Sequence, residues 1–572
     1  MLRATSPSNG LPRRWVPERG SHYVLWLLTL VVVVGPVVPV VWASFWSTPL
    51  YEGGGSATLQ NYRHLLSDDT WWVAVGNSAL FAAMTTAGST VVGVGLAVLL
   101  VRTDLPLRRL FGAVFVLPVV LPGLVLLVGW SVMWSPSGYV SAWLQAHGTS
   151  MPIDLYSIPG MALVATSVAA PIIYLFVRGS LGSMDSSLEQ AARCSGAGPL
   201  RALVTVTLPL LRPVALNSGM IVFALALEVL GLPLILGSSS GTTLMSTYLY
   251  DHWVKAQPPD QGLVAAAGVL LLLIVSALLF ARDRLVGDSA RFATTGGKAH
   301  GTSPLQLGPA RWVISAGVGL GMACFILVPL AGVFLSAFTS FLSPFLSPWS
   351  LLTTSNFDTI FSNRTYTASI VNSLLIAGVG GFLATVAVAV LSMVAHRSQF
   401  RRRHSLQQAM LWPRAVPGLV TGMGFFWAFA VLNPSGSLRS SLWVMGLAFA
   451  VRALALGYSA FYPALTVLGK DLDLAARSAG AGWWTAMRTI ILRLVQPAFG
   501  VAFVLLFVAM LNDADPAVFL VTPDTPVMGF TMLQLAQTGT GGFVAAFGVL
   551  QMAITLVVLG AGRLLLGVRP HA

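Results

Sequence analysis

Long uninterrupted apolar stretches decide what this chain can fold into. Val24–Val41, Val91–Val101 and Leu263–Phe280 are nearly free of charge, and runs near 20 residues match the hydrocarbon thickness of a bilayer. Only 9% of the 572 residues are charged and 56% are hydrophobic, whereas a soluble domain carries roughly 25% charged residues. A chain of this kind cannot present a solvated surface over most of its length. Short alternating segments, the signature of a transmembrane β-barrel, are missing. The reading is an all-α membrane protein with about 12 transmembrane helices, placed near 23–45, 73–101, 108–134, 156–179, 203–236, 262–282, 312–340, 368–396, 405–432, 440–463, 490–511 and 543–567. Arg13, Arg14 and Arg19 before the first apolar run resemble a signal peptide, but that run is long and lacks a clean small-residue cleavage site. It reads as an uncleaved first helix.

A formal net charge of +13 would point to nucleic acid in a soluble protein. Here topology accounts for it, and no nucleic-acid partner is expected. With the N-terminus in the cytoplasm, all but five of the 32 Lys and Arg residues fall in cytoplasmic segments. Arg63, Lys255, Arg364 and Arg439 fall outside, and Arg452 lies within a span. Basic residues gather on the cytoplasmic side of membrane proteins, so both termini are expected there.

The chain repeats itself. Asn61-Tyr62 returns as Asn356-Phe357, Asn77-Ser78 as Asn372-Ser373, and Pro122-Gly123-Leu124 as Pro417-Gly418-Leu419, all at an offset of 295. Beyond these the offset is 284: Ala191-Ala192-Arg193 matches Ala475-Ala476-Arg477, and Gly196-Ala197-Gly198 matches Gly480-Ala481-Gly482. The first half therefore carries about 11 extra residues, expected in the loop around Ser141–Pro152. Six spans per half give both halves the same orientation, a parallel repeat with room for a pathway between them. The expected domains are a cytoplasmic tail over 1–22, a first unit over 23–292, a cytoplasmic linker over 293–311 and a second unit over 312–572.

Between the fourth and fifth spans of each half lies a loop with one composition. Residues 188–201 and 472–485 each read as a short helix with an acid in its first turn, then small residues, then a glycine that ends the helix. Alanines leave a shallow face that another protein can approach closely. This pattern resembles the EAA loop of permeases of binding-protein-dependent ABC importers. The wider chain resembles the fused two-domain permeases of the ferric iron, thiamine and phosphonate group in Pro122-Gly123-Leu124, in Leu155–Gly160, in Pro258–Gly262 and in Pro413–Leu419.

The resemblance implies an importer subunit of the bacterial cytoplasmic (inner) membrane. It implies a small polar or charged solute, ferric iron first, with thiamine, polyamine and aminoethylphosphonate behind it. It also implies an extracytoplasmic solute-binding protein and a cytoplasmic ABC ATPase dimer that docks on the two loops through Glu189, Ala191, Ala192 and Gly196 and through Asp473, Ala475, Ala476 and Gly480. The family's own glutamate aligns with Gln190 and Leu474, each acid standing one place earlier, and the closing Leu208-Pro209 becomes Leu492-Arg493.

Nothing in the chain reads as an enzyme. Gly296-Gly297-Lys298 lacks the spacing and the hydroxyl residue of a phosphate loop. ATP and Mg²⁺ are expected on the partner ATPase, with no cofactor or metal held by this chain, and the scattered histidines form no catalytic set. Intramembrane charge is costly and often functional, which singles out Glu228, Arg452 and Asp513. Asn512 is the repeat partner of Glu228, so the two are candidates to face each other across the pathway; a structural ion pair or a hydrogen bond to backbone within one half is the competing reading. A secondary transporter is the alternative class, but it needs no paired loops.

Overall fold

In lipid a backbone must satisfy its own hydrogen bonds, so an apolar run of this length folds as helix. The computed structural model describes residues 19–565, apart from 150–152, 185–186, 287–304, 344–345, 434–435, 439 and 470. Among the described residues there is no strand, and β-pairing is confined to isolated bridges. Ten helices among the described residues are long and apolar enough to cross a membrane, and counting each of two bent pairs as one span gives up to twelve. Each corresponds to one expected span.

Three departures have local causes. The fifth span, expected over 203–236, ends at Glu228, where Val229 turns to extended backbone. The apolar residues beyond it fold back as short pieces, Pro233–Gly237 and Met245–Tyr250. In a continued helix the Pro233 ring would clash with the Val229 carbonyl and leave it without a donor, and the chain leaves helical backbone at Val229. The third span is parted at Leu121-Pro122 into Arg108–Val120 and Gly123–Trp134. Its counterpart in the second half bends by 109° between Arg403–Ala415 and Gly418–Leu432. The extra residues of the first half form a helix of their own, Tyr139–Ala146.

The repeat seen in sequence has a structural job. The Asn77 amide donates to the Thr243 carbonyl at 3.0 Å and the Asn372 amide to the Pro526 carbonyl at 2.9 Å. The Ser78 hydroxyl accepts from the Met245 N–H, and the Ser373 hydroxyl from the Met528 N–H, both at 2.8 Å. Each pair pins the short helix that follows the fifth span of its half. Asn61 and Asn356 likewise tie down the end of the preceding span through the carbonyls of Ser44 and Trp46, and of Ser336, Ala337 and Thr339.

The halves exchange their first helices. Val37–Ser44, the end of the first span, packs on Gly418–Leu432 of the second half, and Val328–Ala337 of the seventh span packs on Gly123–Trp134 of the first. Both crossings are close enough to need glycine. A Cβ on Gly129 would land on the Pro329 carbonyl, and one on Gly424, its repeat partner, on the Pro36 carbonyl. Small residues at such seams let backbones approach in the membrane.

The expected linker lies largely outside the described residues. Where the chain is described again, the Leu305 N–H donates to the Arg102 carbonyl at 2.8 Å, and the Asp104 N–H to the Leu305 carbonyl at 3.1 Å.

Candidate functional site: paired surface helices and an ionic cluster between the halves

The two loops singled out in sequence fold alike. The short helices are Ser187–Cys194 and Asp471–Ser478. Each ends on a left-handed glycine, Gly196 and Gly480, both at φ 87°. The Ala197 N–H reaches back to the Ala192 carbonyl at 3.0 Å and the Ala481 N–H to Ala476 at 3.1 Å, the six-to-one bond of a Schellman ending. Ala191 and Ala475 are exposed, Ala192 is half-buried and Ala476 is buried. The chain re-enters the apolar region through a wide π turn in both halves, Leu203–Thr207 and Met487–Ile491.

The acids of these helices turn inward. Glu189, third in its helix, accepts from the Thr207 hydroxyl and lies 3.8 Å from the Arg102 guanidinium. Asp473, third in the other, lies 3.2 Å from Arg397. Arg102 and Arg397 are the last residues of Asp69–Arg102 and Gly381–Arg397 and are 5% and 4% exposed. Each also donates to the end of its half's fourth span: Arg102 to the Leu181 carbonyl at 3.5 Å, Arg397 to the Leu465 carbonyl at 2.7 Å. Arg397 adds the carbonyls of Leu468 and Gly469. Arg102 and Arg397 also stand 295 apart, the offset of the repeat, the signal in sequence that links them.

Deep between the halves a second group forms around one guanidinium. Arg452 Nη1 lies 2.5 Å from Asp513 Oδ1 and 3.0 Å from Asp515 Oδ2, and Nη2 lies 3.4 Å from Glu228 Oε1. Glu228 belongs to the first half and the other three to the second, so the competing expectation of an ion pair confined to one half covers only Asp513 and Asp515. Glu228 and Asn512 do not bond to each other; each grips the broken third span of the opposite half. The Gly418 N–H donates to Glu228 Oε2 at 3.2 Å, and the Asn512 amide donates to the Val120 carbonyl at 3.5 Å. Asn512 is further held by Gln551 at 2.8 Å.

A cavity of about 550 Å³ opens beside this group. The second half lines it with Arg452, Asn512, Asp513 and Asp515, and the first half with mainly apolar residues and Thr85, including Val168, the repeat counterpart of Arg452. The cavity lining therefore draws its charged groups from the second half alone. Among the described residues, no three His, Cys, Asp or Glu side chains are placed to hold a metal ion.

The model of a family described as "Binding-protein-dependent transport system inner membrane component" matches this chain twice, over residues 89–288 and 386–566. The chain belongs to that family. The permease is 27% identical over 511 residues to the putative ferric transport system permease protein FbpB 1 of Haemophilus influenzae, covering 88% of the chain and 77% of that protein. It is 27% identical over 549 residues to the ferric transport system permease protein FbpB of Actinobacillus pleuropneumoniae, covering 94% and 77%. A putative 2-aminoethylphosphonate transport system permease protein, PhnU of Salmonella choleraesuis, is 26% identical over 281 residues, 48% of this chain and 95% of that one. The two family matches enclose both short surface helices, and the ionic cluster draws on both. The permease is thus a multi-pass inner-membrane protein in which two family units share one chain.

Proposed function

We propose that this permease forms the whole membrane channel of an ATP-driven importer for a small cation, with ferric iron as the first choice. One observation carries the solute class: three carboxylates, Glu228, Asp513 and Asp515, surround a single guanidinium beside the cavity between the halves. The surplus of negative charge in a site of low dielectric favours a cationic solute. The named roles of the two ferric transport relatives support the choice of iron. Energy comes from a partner ATPase dimer, which holds ATP and Mg²⁺, with one subunit under each of the helices Ser187–Cys194 and Asp471–Ser478. Its contacts run through Ala191 and Gly196 and through Ala475 and Gly480, with Ala192 and Ala476 packed behind them as the small residues that keep each helix close to the permease. A solute-binding protein delivers cargo at the opposite face.

The second reading is aminoethylphosphonate, which rests on the resemblance to PhnU and on the presence of Arg452 in the cavity wall. Guanidinium is the side chain best suited to phosphonate oxygens. Thiamine and polyamine remain cationic candidates for the same machinery. Uptake into proteoliposomes carrying permease, ATPase and binding protein, with labelled ferric iron, thiamine, putrescine and aminoethylphosphonate in parallel, separates these. Saturable, ATP-dependent uptake of iron is the expected result. Uptake of the phosphonate alone would overturn the cation reading.

A further inference from the structure

We propose that Arg102 and Arg397 are positioning residues for energy coupling: each clamps a short surface helix, through its acid, to the ends of two membrane spans. The inference rests on the reading that an ATPase docks on these helices. Its basis is a geometry that occurs twice. In each half a nearly buried arginine at the end of the second span reaches one carbonyl at the end of the fourth, Leu181 or Leu465, and one acid in the short helix, Glu189 or Asp473. The arginines are 295 apart, and the carbonyls and acids 284 apart, so the two clamps are copies related by the repeat.

The same geometry decides which way the helix faces. With the acid turned to the permease, Gln190, Ala191 and Cys194 are exposed in one helix and Asp471, Leu472, Ala475 and Ser478 in the other. The acid is then part of the joint, and the face that carries Ala191 or Ala475 is left for the partner. The charge-assisted hydrogen bond of Arg397 to Asp473 and the ion pair of Arg102 with Glu189 stand where water is largely shut out and resist displacement, so a push on the helix reaches both spans together. Loss of the clamp leaves the docking face intact and lets the helix yield.

The two clamps differ in strength. Arg397 donates to three carbonyls as well as to Asp473. Arg102 Nη1 has no hydrogen-bond partner, and its guanidinium sits 3.8 Å from Glu189. Removal of the acid is therefore expected to harm coupling more in the second half.

The test uses the assembled transporter in proteoliposomes, with Glu189→Gln, Asp473→Asn, the double variant, and the exchange Arg397→Glu with Asp473→Arg. Thermal melting checks folding, and the near-isosteric amide variants guard against the case in which the exchange fails to fold. The expected result has three parts. The ATPase copurifies with the double variant in wild-type amounts. Basal ATP hydrolysis is kept. Solute uptake per ATP falls about fivefold or more, the size of a typical coupling between sites, with Asp473→Asn the worse single change, and the exchange recovers part of the loss. Wild-type uptake per ATP in the double variant would overturn the proposal. So would loss of ATPase copurification in the amide variants, which would place the acids in the docking face itself. Failure of the unmutated permease to bind any ATPase would instead strike the underlying reading of the function.

Discussion

Arg452 stands against three carboxylates, and the sign of that imbalance sets what each substitution does. Arg452→Ala leaves Glu228, Asp513 and Asp515 facing one another without a counter-charge. Removing one partner of a buried ion pair costs about 3–5 kcal/mol, so this variant is expected to melt well below the wild type in a detergent thermal-shift assay. Glu228→Gln is the gentler probe. It keeps the shape and can still accept from the Gly418 N–H, but it removes the one ionic tie of the cluster that crosses from first half to second. We expect impaired solute uptake with the ATPase still copurifying. Unchanged uptake of the true solute would return Glu228 to a purely structural role.

At the scale of elements, the short surface helices depend on their terminal glycines for conformation, not for space. A Cβ on Gly196 or Gly480 meets no atom within 4 Å, yet both sit at φ 87°. A side chain there costs about 1–2 kcal/mol, the penalty of left-handed backbone for an L-residue. Gly196→Val and Gly480→Val are therefore expected to insert and fold with a small drop in melting temperature, while transport and solute-stimulated ATP hydrolysis fall sharply. Equal transport by both variants at normal expression would count against these helices as the docking elements. The proline breaks belong to this scale as well. Leu121-Pro122 and Val416-Pro417 interrupt the third span of each half, and Glu228 and Asn512 hold those breaks from the opposite half. The motif was visible in sequence, but its partners were not, because they arrive from 190 residues away in one case and 392 in the other.

At the scale of the whole molecule, helix exchange makes the two halves one body. Gly129→Val and Gly424→Val force a side chain into a backbone carbonyl of the exchanged helix. Overpacking of that kind costs about 1–3 kcal/mol per site, and each site meets a different neighbour, Pro329 or Pro36, so the costs are expected to add. The double variant is expected to show the lowest melting temperature, with each single variant intermediate. A melting curve identical to the wild type would remove the seam as a source of stability. The chain holds no phosphate loop, so the purified permease alone is expected to turn over no ATP and to support hydrolysis only with a partner ATPase; a phosphate-release assay on the clean single chain decides this.

The sequence alone determined the membrane setting, the twelve spans, the parallel repeat and the paired surface helices. Each is a local matter. Hydrocarbon compels an apolar run to satisfy its own backbone as helix, and a glycine after small residues ends a helix wherever it stands. The sequence also marked Glu228, Arg452, Asn512 and Asp513 as expensive residues for a membrane, without saying what they meet. Only the tertiary structure decided that Glu228 reaches Arg452 across 224 residues, that Asp515 joins them, that Glu189 and Asp473 face inward to Arg102 and Arg397, and that the first helix of each half lies on the other. Hydropathy is nearly uniform around a span buried in lipid, so it does not say which face packs on which neighbour. That choice belongs to glycines that admit a backbone and to charges that must find a partner out of water.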